Sequence, residues 1–162
     1  MGVLTPEMQQ LVRHQRLGFV ASVSKDGFPN VSPKGSLTVL DDDSLVFADV
    51  ESPHTAENLL QNPRTEVNVV DPFTRRGFRF RGMAEVLHTG PDFWKVLEMY
   101  RAEGSQVQRI RHVVVVRVER VLPLISPIYA GHHEEDTIRA MWEEYYAKRK
   151  QLVVDLVPPR DF

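Results

Sequence analysis

Residues 48–63 read ADVESPHTAENLLQNP, and the break from strand to helix inside this stretch sets the plan of the chain. The alternation Leu45-Val46-Phe47-Ala48 leading into it predicts a strand leaving a buried sheet. Ser52 stands where a helix N-cap belongs, and Pro53 takes the first helical position, where a missing N–H costs nothing. Leu59 and Leu60 are expected to give the helix its buried side, and Asn62-Pro63 to stop it. Such a junction aims unpaired N–H groups and the positive end of a helix dipole at the sheet edge, where a phosphate can sit. An acidic residue at the third helical position would close that end as a capping box. Thr55 is there instead, with His54 beside it, so the end is rich in donors and open. The plainer alternative at these residues is an ordinary capped surface helix.

The remaining composition bounds the answer. A chain of 162 residues has the length of one domain with a substantial core. A formal net charge of -2 argues against a nucleic-acid partner, which calls for a basic excess or stripe. The lack of cysteine excludes a disulfide scaffold, thiolate metal ligands and thiol catalysis, and fits a reducing compartment. No long apolar run follows the first charges, so neither a signal peptide nor a membrane span is expected, and a cytoplasmic location is.

Thr5-Pro6-Glu7 opens a short helix with Met8, Leu11 and Val12 on one side. Residues 18–24 form a strand, Lys25-Asp26-Gly27 a turn, and Pro29 to Leu40 a second strand interrupted at Pro33-Lys34-Gly35. Three more strands are predicted at Ser44–Ala48, Thr65–Val70 and Arg76–Leu87; in the last, Phe78 and Phe80 face one way while Arg79 and Arg81 face the other. A helix from Gly90-Pro91-Asp92 carries Phe93, Val96, Leu97 and Tyr100 and ends at Gly104. His112 to Val121 is a strand whose run Val113–Val116 implies burial on both faces. A final helix, Glu134 to about Gln151, starts acidic and ends on Lys148-Arg149-Lys150, followed by a free tail at Val157-Pro158-Pro159. Six short strands joined mostly by hairpin turns, with helices between some of them, read as a small antiparallel barrel of mainly-β, α+β class.

In order and spacing, ASVSKDGFPNVSPKGSLTVLDDDSLVFAD, SPHTAENLLQNPRTEVNVV and GFRFRGMAEV resemble the FMN-binding split barrels of the pyridoxamine 5′-phosphate oxidase-like family, over roughly residues 15–90. The resemblance implies a six-stranded antiparallel split β-barrel of Greek-key-like connection with flanking helices. It would form one domain over 1–162, with the barrel core at about 15–123 and the C-terminal helix and tail at 124–162. It also implies a homodimer that holds FMN in a groove between subunits. Val31, Ser32, Pro33, Lys34 and Gly35 would lie along the flavin ring; Asp49, Val50 and Ser52 would pass the ribityl chain; His54 and Thr55 would meet the phosphate. Many relatives place a lysine at the position of His54 or Thr55. Its absence here removes one charge-assisted hydrogen bond, about 1.5–3 kcal/mol, which Arg79 or Arg81, or Arg75 or Arg76 in the preceding loop, would restore.

Lys34 is expected either to donate toward the flavin's pyrimidine carbonyls or to be a solvated lysine at a bulge. For Arg79 and Arg81 the alternatives to cofactor contact are an outer charged face or a dimer salt bridge. His132-His133-Glu134-Glu135 lacks a third ligand at metal spacing and reads as an acidic helix start. His112 reads as structural, Tyr129 as a lid over a ring or a packed loop aromatic, and Trp94 and Trp142 as core or dimer interface. No catalytic triad, Walker loop or GxGxxG motif is present, and no acid–base pair stands out, so no catalytic residue is assigned. The expected function is an FMN-dependent oxidoreductase passing electrons or hydride to or from a small substrate. Its rivals are a flavin carrier or storage protein without a substrate site, and a split barrel using a deazaflavin or haem. Pyridoxamine phosphate is not the implied substrate, because that enzyme's substrate-binding residues find no match here.

Overall fold

The computed structural model describes residues 2–50 and 53–156, with side chains as far as Arg149. Ser52 and the tail at 157–159 therefore lie outside the described residues. The first helix, α1 (Pro6–Gln15), is capped by Thr5, whose hydroxyl accepts from the Met8 N–H at 3.4 Å. Strands β1 (Gly18–Val23), β2 (Pro29–Lys34), β3 (Thr38–Asp41) and β4 (Ser44–Asp49) follow. Next come α2 (Pro53–Gln61), β5 (Arg64–Asp71), β6 (Arg76–Leu87), α3 (Pro91–Ala102), β7 (His112–Ile125) and α4 (Glu135–Leu156).

One antiparallel sheet takes all seven strands in the order β2-β1-β5-β6-β7-β4-β3. Its two edge strands, β2 and β3, are joined by only Gly35-Ser36-Leu37. In a flat sheet seven strands would hold those edges about 29 Å apart, whereas this link spans about 14 Å at most. The sheet must therefore roll up until its edges approach, and the ladder stays open between them. Six strands were predicted, because Pro29 to Leu40 reads as one interrupted strand. The break falls not at Pro33-Lys34-Gly35, whose first two residues still pair with β1, but at Gly35-Ser36-Leu37, the corner where the chain leaves one edge for the other. Ser36 makes that corner: its hydroxyl accepts from the Ala48 N–H at 2.9 Å and donates to the Ala48 carbonyl at 3.2 Å, while its own carbonyl accepts from Tyr100 at 2.9 Å. A side chain here replaces the ladder partner that the backbone loses.

The rolled sheet encloses Val20, Leu45, Phe47, Val67, Phe80 and Val114, with α1 contributing Val12 and α2 contributing Leu59. A second core lies outside β4 and β7, where Val46, Ala48 and Val113 pack against Phe93, Val96 and Tyr100 of α3. β4 is buried at every position because it has the enclosed face of the sheet on one side and α3 on the other. The burial expected for Val113–Val116 has the same cause: Val114 and Val116 face the interior, Val113 and Val115 face the α3 side. Gly82 sits at a register shift between β6 and β7, where a Cβ would collide with the Arg117 carbonyl. A bulge there lets the long β6 bend with the sheet.

Two expectations need correction and a third narrows. Leu60 is 65% exposed, and Asn58 takes its place on the buried side of α2, donating to the Ser22 hydroxyl at 3.1 Å. The buried side of α2 is thus made by Thr55, Ala56, Asn58 and Leu59. Of the two readings of Trp94, core or dimer interface, its 58% exposure removes the first. α4 runs on to Leu156, which moves Lys148 and Arg149 away from its last turn.

Candidate functional site

β2 is an edge strand, and its alternation turns Asn30, Ser32 and Lys34 inward while Pro29, Val31 and Pro33 face out. Lys34 is the deepest of the inward three, with 4% of its surface exposed. Its ammonium lies 5.5 Å from the centroid of the Phe47 ring and has no hydrogen-bond partner among the described residues. Burial pushes the Lys34 pKa below the ordinary lysine value, and the nearby Asp49 carboxylate opposes that shift. The expectation of a solvated lysine at a bulge is therefore overturned. A bare ammonium inside a barrel is costly, since desolvating one ion takes several kcal/mol.

Asp49 closes β4 on the same inward face as Leu45 and Phe47, and is 2% exposed. Directly opposite in the ladder stands His112, whose Nδ1 is 3.2 Å from Asp49 Oδ2. The Arg111 N–H donates to the Asp49 carbonyl at 3.0 Å. From Asp49 the chain passes Val50 into α2. In the first turn of α2 Thr55 is 2% exposed, while the His54 side chain is 84% exposed and 3.4 Å from Glu57. That first turn contains no acidic residue. Gly35 borders open space: an added Cβ would meet no atom within 4 Å, so a flat ligand can approach the backbone there.

Thus one chain brings together Lys34, Asp49 and the corner at Gly35, and α2 begins at Pro53, four residues after Asp49. It does not bring Arg79 or Arg81 to them. Both project from the outer face of β6 toward Glu66 of β5, where Arg81 donates through Nε at 2.7 Å and a terminal nitrogen at 2.5 Å, and Arg79 lies 3.5 Å away. Arg75 and Arg76 are engaged elsewhere too: Arg75 stacks on Trp142 at 3.6 Å, and Arg76 pairs with Glu135 at 2.7 Å. Tyr129 donates to the Thr74 carbonyl at 2.7 Å beneath Arg76, a packed loop aromatic in its own subunit. A hollow of about 430 Å³ opens on the outer face between β1, β5 and β6, lined by Val23, Pro29, Glu66, Arg81 and Met83. It lies away from the buried lysine.

The sequence did not single out Asn30, and it did not set His112, read as structural, beside Asp49. Asn30 has a buried Oδ1 without a hydrogen-bond partner, on the same face as Lys34. Counting back by twos from Lys34 was the signal for it. His112 gave no such signal, since only the pairing of β4 with β7 sets it beside Asp49. Among the described residues no group of three His, Asp or Glu side chains is placed to hold a metal ion.

The family model for pyridoxamine 5′-phosphate oxidase matches residues 4–124. The chain belongs to the pyridoxamine 5′-phosphate oxidase family. An uncharacterised protein of Methanocaldococcus jannaschii is 29% identical over 133 residues, covering 79% of this chain and 85% of that protein. Among solved structures, HupZ of Group A Streptococcus is 30% identical with a TM-score of 0.68, over 75% of this chain and 94% of HupZ. A candidate pyridoxamine 5′-phosphate oxidase of Lactobacillus delbrueckii is 28% identical with a TM-score of 0.64, over 75% and 95% of the two chains. An FMN-binding protein of Syntrophomonas wolfei has the same fold at 16% identity, with a TM-score of 0.62 over 74% and 85%. The matched region ends just before the 3-10 turn at Pro127–Gly131 and α4.

Proposed function

We propose that this chain binds FMN between the β2 corner and the start of α2, and acts as an FMN-dependent oxidoreductase on a small substrate. The observation that carries the reading is the Lys34 ammonium, buried and without a hydrogen-bond partner among the described residues. A family built around a flavin gives such a cation a purpose: it donates toward the pyrimidine carbonyls and favours negative charge on the reduced ring. The open face at Gly35 suits the approach of a ring, and an α2 first turn without acidic residues suits a phosphate. FMN, when bound, supplies reversible one- and two-electron transfer. The chain's own residues then have three tasks. The β2 backbone at Val31–Gly35 orients the ring, Lys34 supplies positive charge, and Val50, Ser52, His54 and Thr55 take the ribityl chain and phosphate.

The phosphate end is the thinner half of this fit, since α2 offers it no lysine or arginine in its first turn. A homodimer completes it. Phe19 (49% exposed), Val31 (62%) and Val23 (38%) make the outer face of β1 and β2 apolar enough to meet a second copy, and Arg79 and Arg81 stand at the margin of that face. One of these arginines then reaches the partner's phosphate. The deciding experiment is the absorbance spectrum of the protein as purified, with mass spectrometry of the released ligand. FMN followed by steady turnover with a nicotinamide donor supports the reading; FMN without turnover makes the chain a flavin carrier. A deazaflavin or haem in that spectrum, or failure of the emptied protein to take up FMN, refutes it.

A further inference from the structure

We propose that Tyr100 of α3 is a positioning residue for this site: from outside the sheet it holds the Ser36 carbonyl, and so fixes the corner on which Lys34 and Gly35 stand. The β3–β4 register pairs Thr38 with Val46, and carried back by two residues it sets Ser36 opposite Ala48. Ser36 takes that place with its side chain, whose hydroxyl accepts from the Ala48 N–H at 2.9 Å and donates to the Ala48 carbonyl at 3.2 Å. Its own carbonyl turns to α3 instead, where the Tyr100 hydroxyl donates to it at 2.9 Å.

On the other side of the corner Lys34 is still laddered to Gly18 of β1. Gly35 lies between the two anchor points, belongs to neither strand, and has open space where a Cβ would stand. A glycine link is conformationally permissive, so the course of the backbone from Lys34 onward depends on what secures Ser36. Ala48 and Tyr100 both do so, Tyr100 from a different layer of the structure. Tyr100 is 1% exposed, in the core that Val46, Ala48 and Val113 form with α3, so its ring is itself fixed. Burial pushes its hydroxyl above the ordinary tyrosine value, which keeps it a donor throughout the neutral range. The role deepens the FMN reading and rests on it for the identity of the ligand: a corner already held in shape spares that ligand the cost of ordering it.

The test is made first on the ligand-free full chain. Tyr100→Phe keeps the ring in its core and removes the donor. If that variant does not fold, para-fluorophenylalanine at the same position fills the hydroxyl's volume without donating. Val96→Ala, one turn away in the same core, weakens the packing of α3 and leaves the Tyr100 hydroxyl in place. In Tyr100→Phe, hydrogen exchange of the Ala48 amide should rise at least tenfold relative to the amides of the β5–β6 ladder. The side-chain signal of Lys34 in ¹³C-lysine-labelled protein, assigned by its loss in Lys34→Met, should move by more than its line width. Val96→Ala should change neither. FMN titration comes second, with a tenfold loss expected in Tyr100→Phe and none in Val96→Ala. Either ligand-free readout unchanged in Tyr100→Phe, or changed equally in Val96→Ala, overturns the proposal. So does an FMN affinity that holds while the corner loosens, or one that falls equally in Val96→Ala. If the parent chain takes up no FMN, the proposed function fails, and the two ligand-free readouts decide this role without it.

Discussion

Replacing Lys34 by methionine separates a ligand-holding lysine from a structural one. Methionine has nearly the length and volume of the lysine stem, so the packing against Phe47 survives. The parent carries an ammonium that is 4% exposed with no hydrogen bond, and desolvation of such an ion costs several kcal/mol, offset in part by Asp49. Asp49 keeps its contact with His112 in the variant. The expected outcome at neutral pH is a ligand-free protein at least as stable as the parent. FMN affinity, by contrast, loses a charge-assisted hydrogen bond of about 1.5–3 kcal/mol, a weakening of roughly 10- to 150-fold. The pH dependence has a definite sign. Lys34 has a folded pKa below its unfolded value, so the unfolded chain binds more protons between the two, and parent stability rises with pH through that window. The advantage of Lys34→Met is therefore fully present below the folded pKa, and disappears as pH climbs toward the ordinary lysine value. Urea melts across pH and flavin fluorescence titrations measure both quantities. A loss of 3 kcal/mol or more in ligand-free stability, with FMN affinity unchanged, would show a structural ion pair with Asp49 and refute the reasoning.

Further outcomes follow from other contacts. His54→Glu adds a carboxylate at an exposed first-turn position, which complements the α2 dipole by a few tenths to ~1 kcal/mol and so preserves stability. It should weaken FMN at least tenfold and leave riboflavin, which has no phosphate, unaffected; equal losses for both would place the phosphate elsewhere. Gly82→Ala drives a Cβ into the Arg117 carbonyl at the β6 bulge, and thermal melts should show a loss of about 1–3 kcal/mol. Trp142→Leu removes the ring on which Arg75 stacks at 3.6 Å, and should cost about 1–2 kcal/mol in urea unfolding without changing FMN affinity. Val31→Lys sets a charge on the apolar outer face of β2 and should convert a dimer into monomers by light scattering, with loss of FMN; an unchanged dimer would move the interface to another face.

Much of the barrel was legible because its signals are local. The Asp-Gly turn after β1, the alternation of Phe78 and Phe80 against Arg79 and Arg81, and the spacing of Phe93, Val96, Leu97 and Tyr100 each need only a few residues to read. The strand count failed where the cause is not local. Pro33-Lys34-Gly35 reads as a blemish within one strand, and the true break at Gly35-Ser36-Leu37 shows only when Ser36 is seen bonding to Ala48 and Tyr100, one of them twelve and the other sixty-four residues away. The swap of Leu60 for Asn58 on α2 has the same origin. Hydrophobicity alone cannot anticipate that Ser22 offers a buried hydroxyl to an amide.

The site divides along the same line, and this bears on how its charge is supplied. Lys34 could be named from its neighbours in sequence, but whether it faces water depends on which side of an edge strand turns inward. Had β2 slipped by one residue, Lys34 would sit outside with Pro33 in its place, and the barrel would hold no cation here. The register Gly18↔Lys34 and Val20↔Ser32 prevents that slip, because the same shift would break the whole β1–β2 ladder. Arg79 and Arg81 show the converse: their charge is plain in the sequence, yet Glu66 on the neighbouring strand already engages both. For either to serve a phosphate it must exchange Glu66 for the ligand, a trade between two exposed or half-exposed partners that costs about 1 kcal/mol or less. Glu66→Gln should accordingly tighten FMN binding by a few-fold, read by fluorescence titration. If Glu66→Gln weakens binding instead, the arginines are positioned by Glu66 rather than held back by it, and their charge reaches the ligand only as part of that cluster.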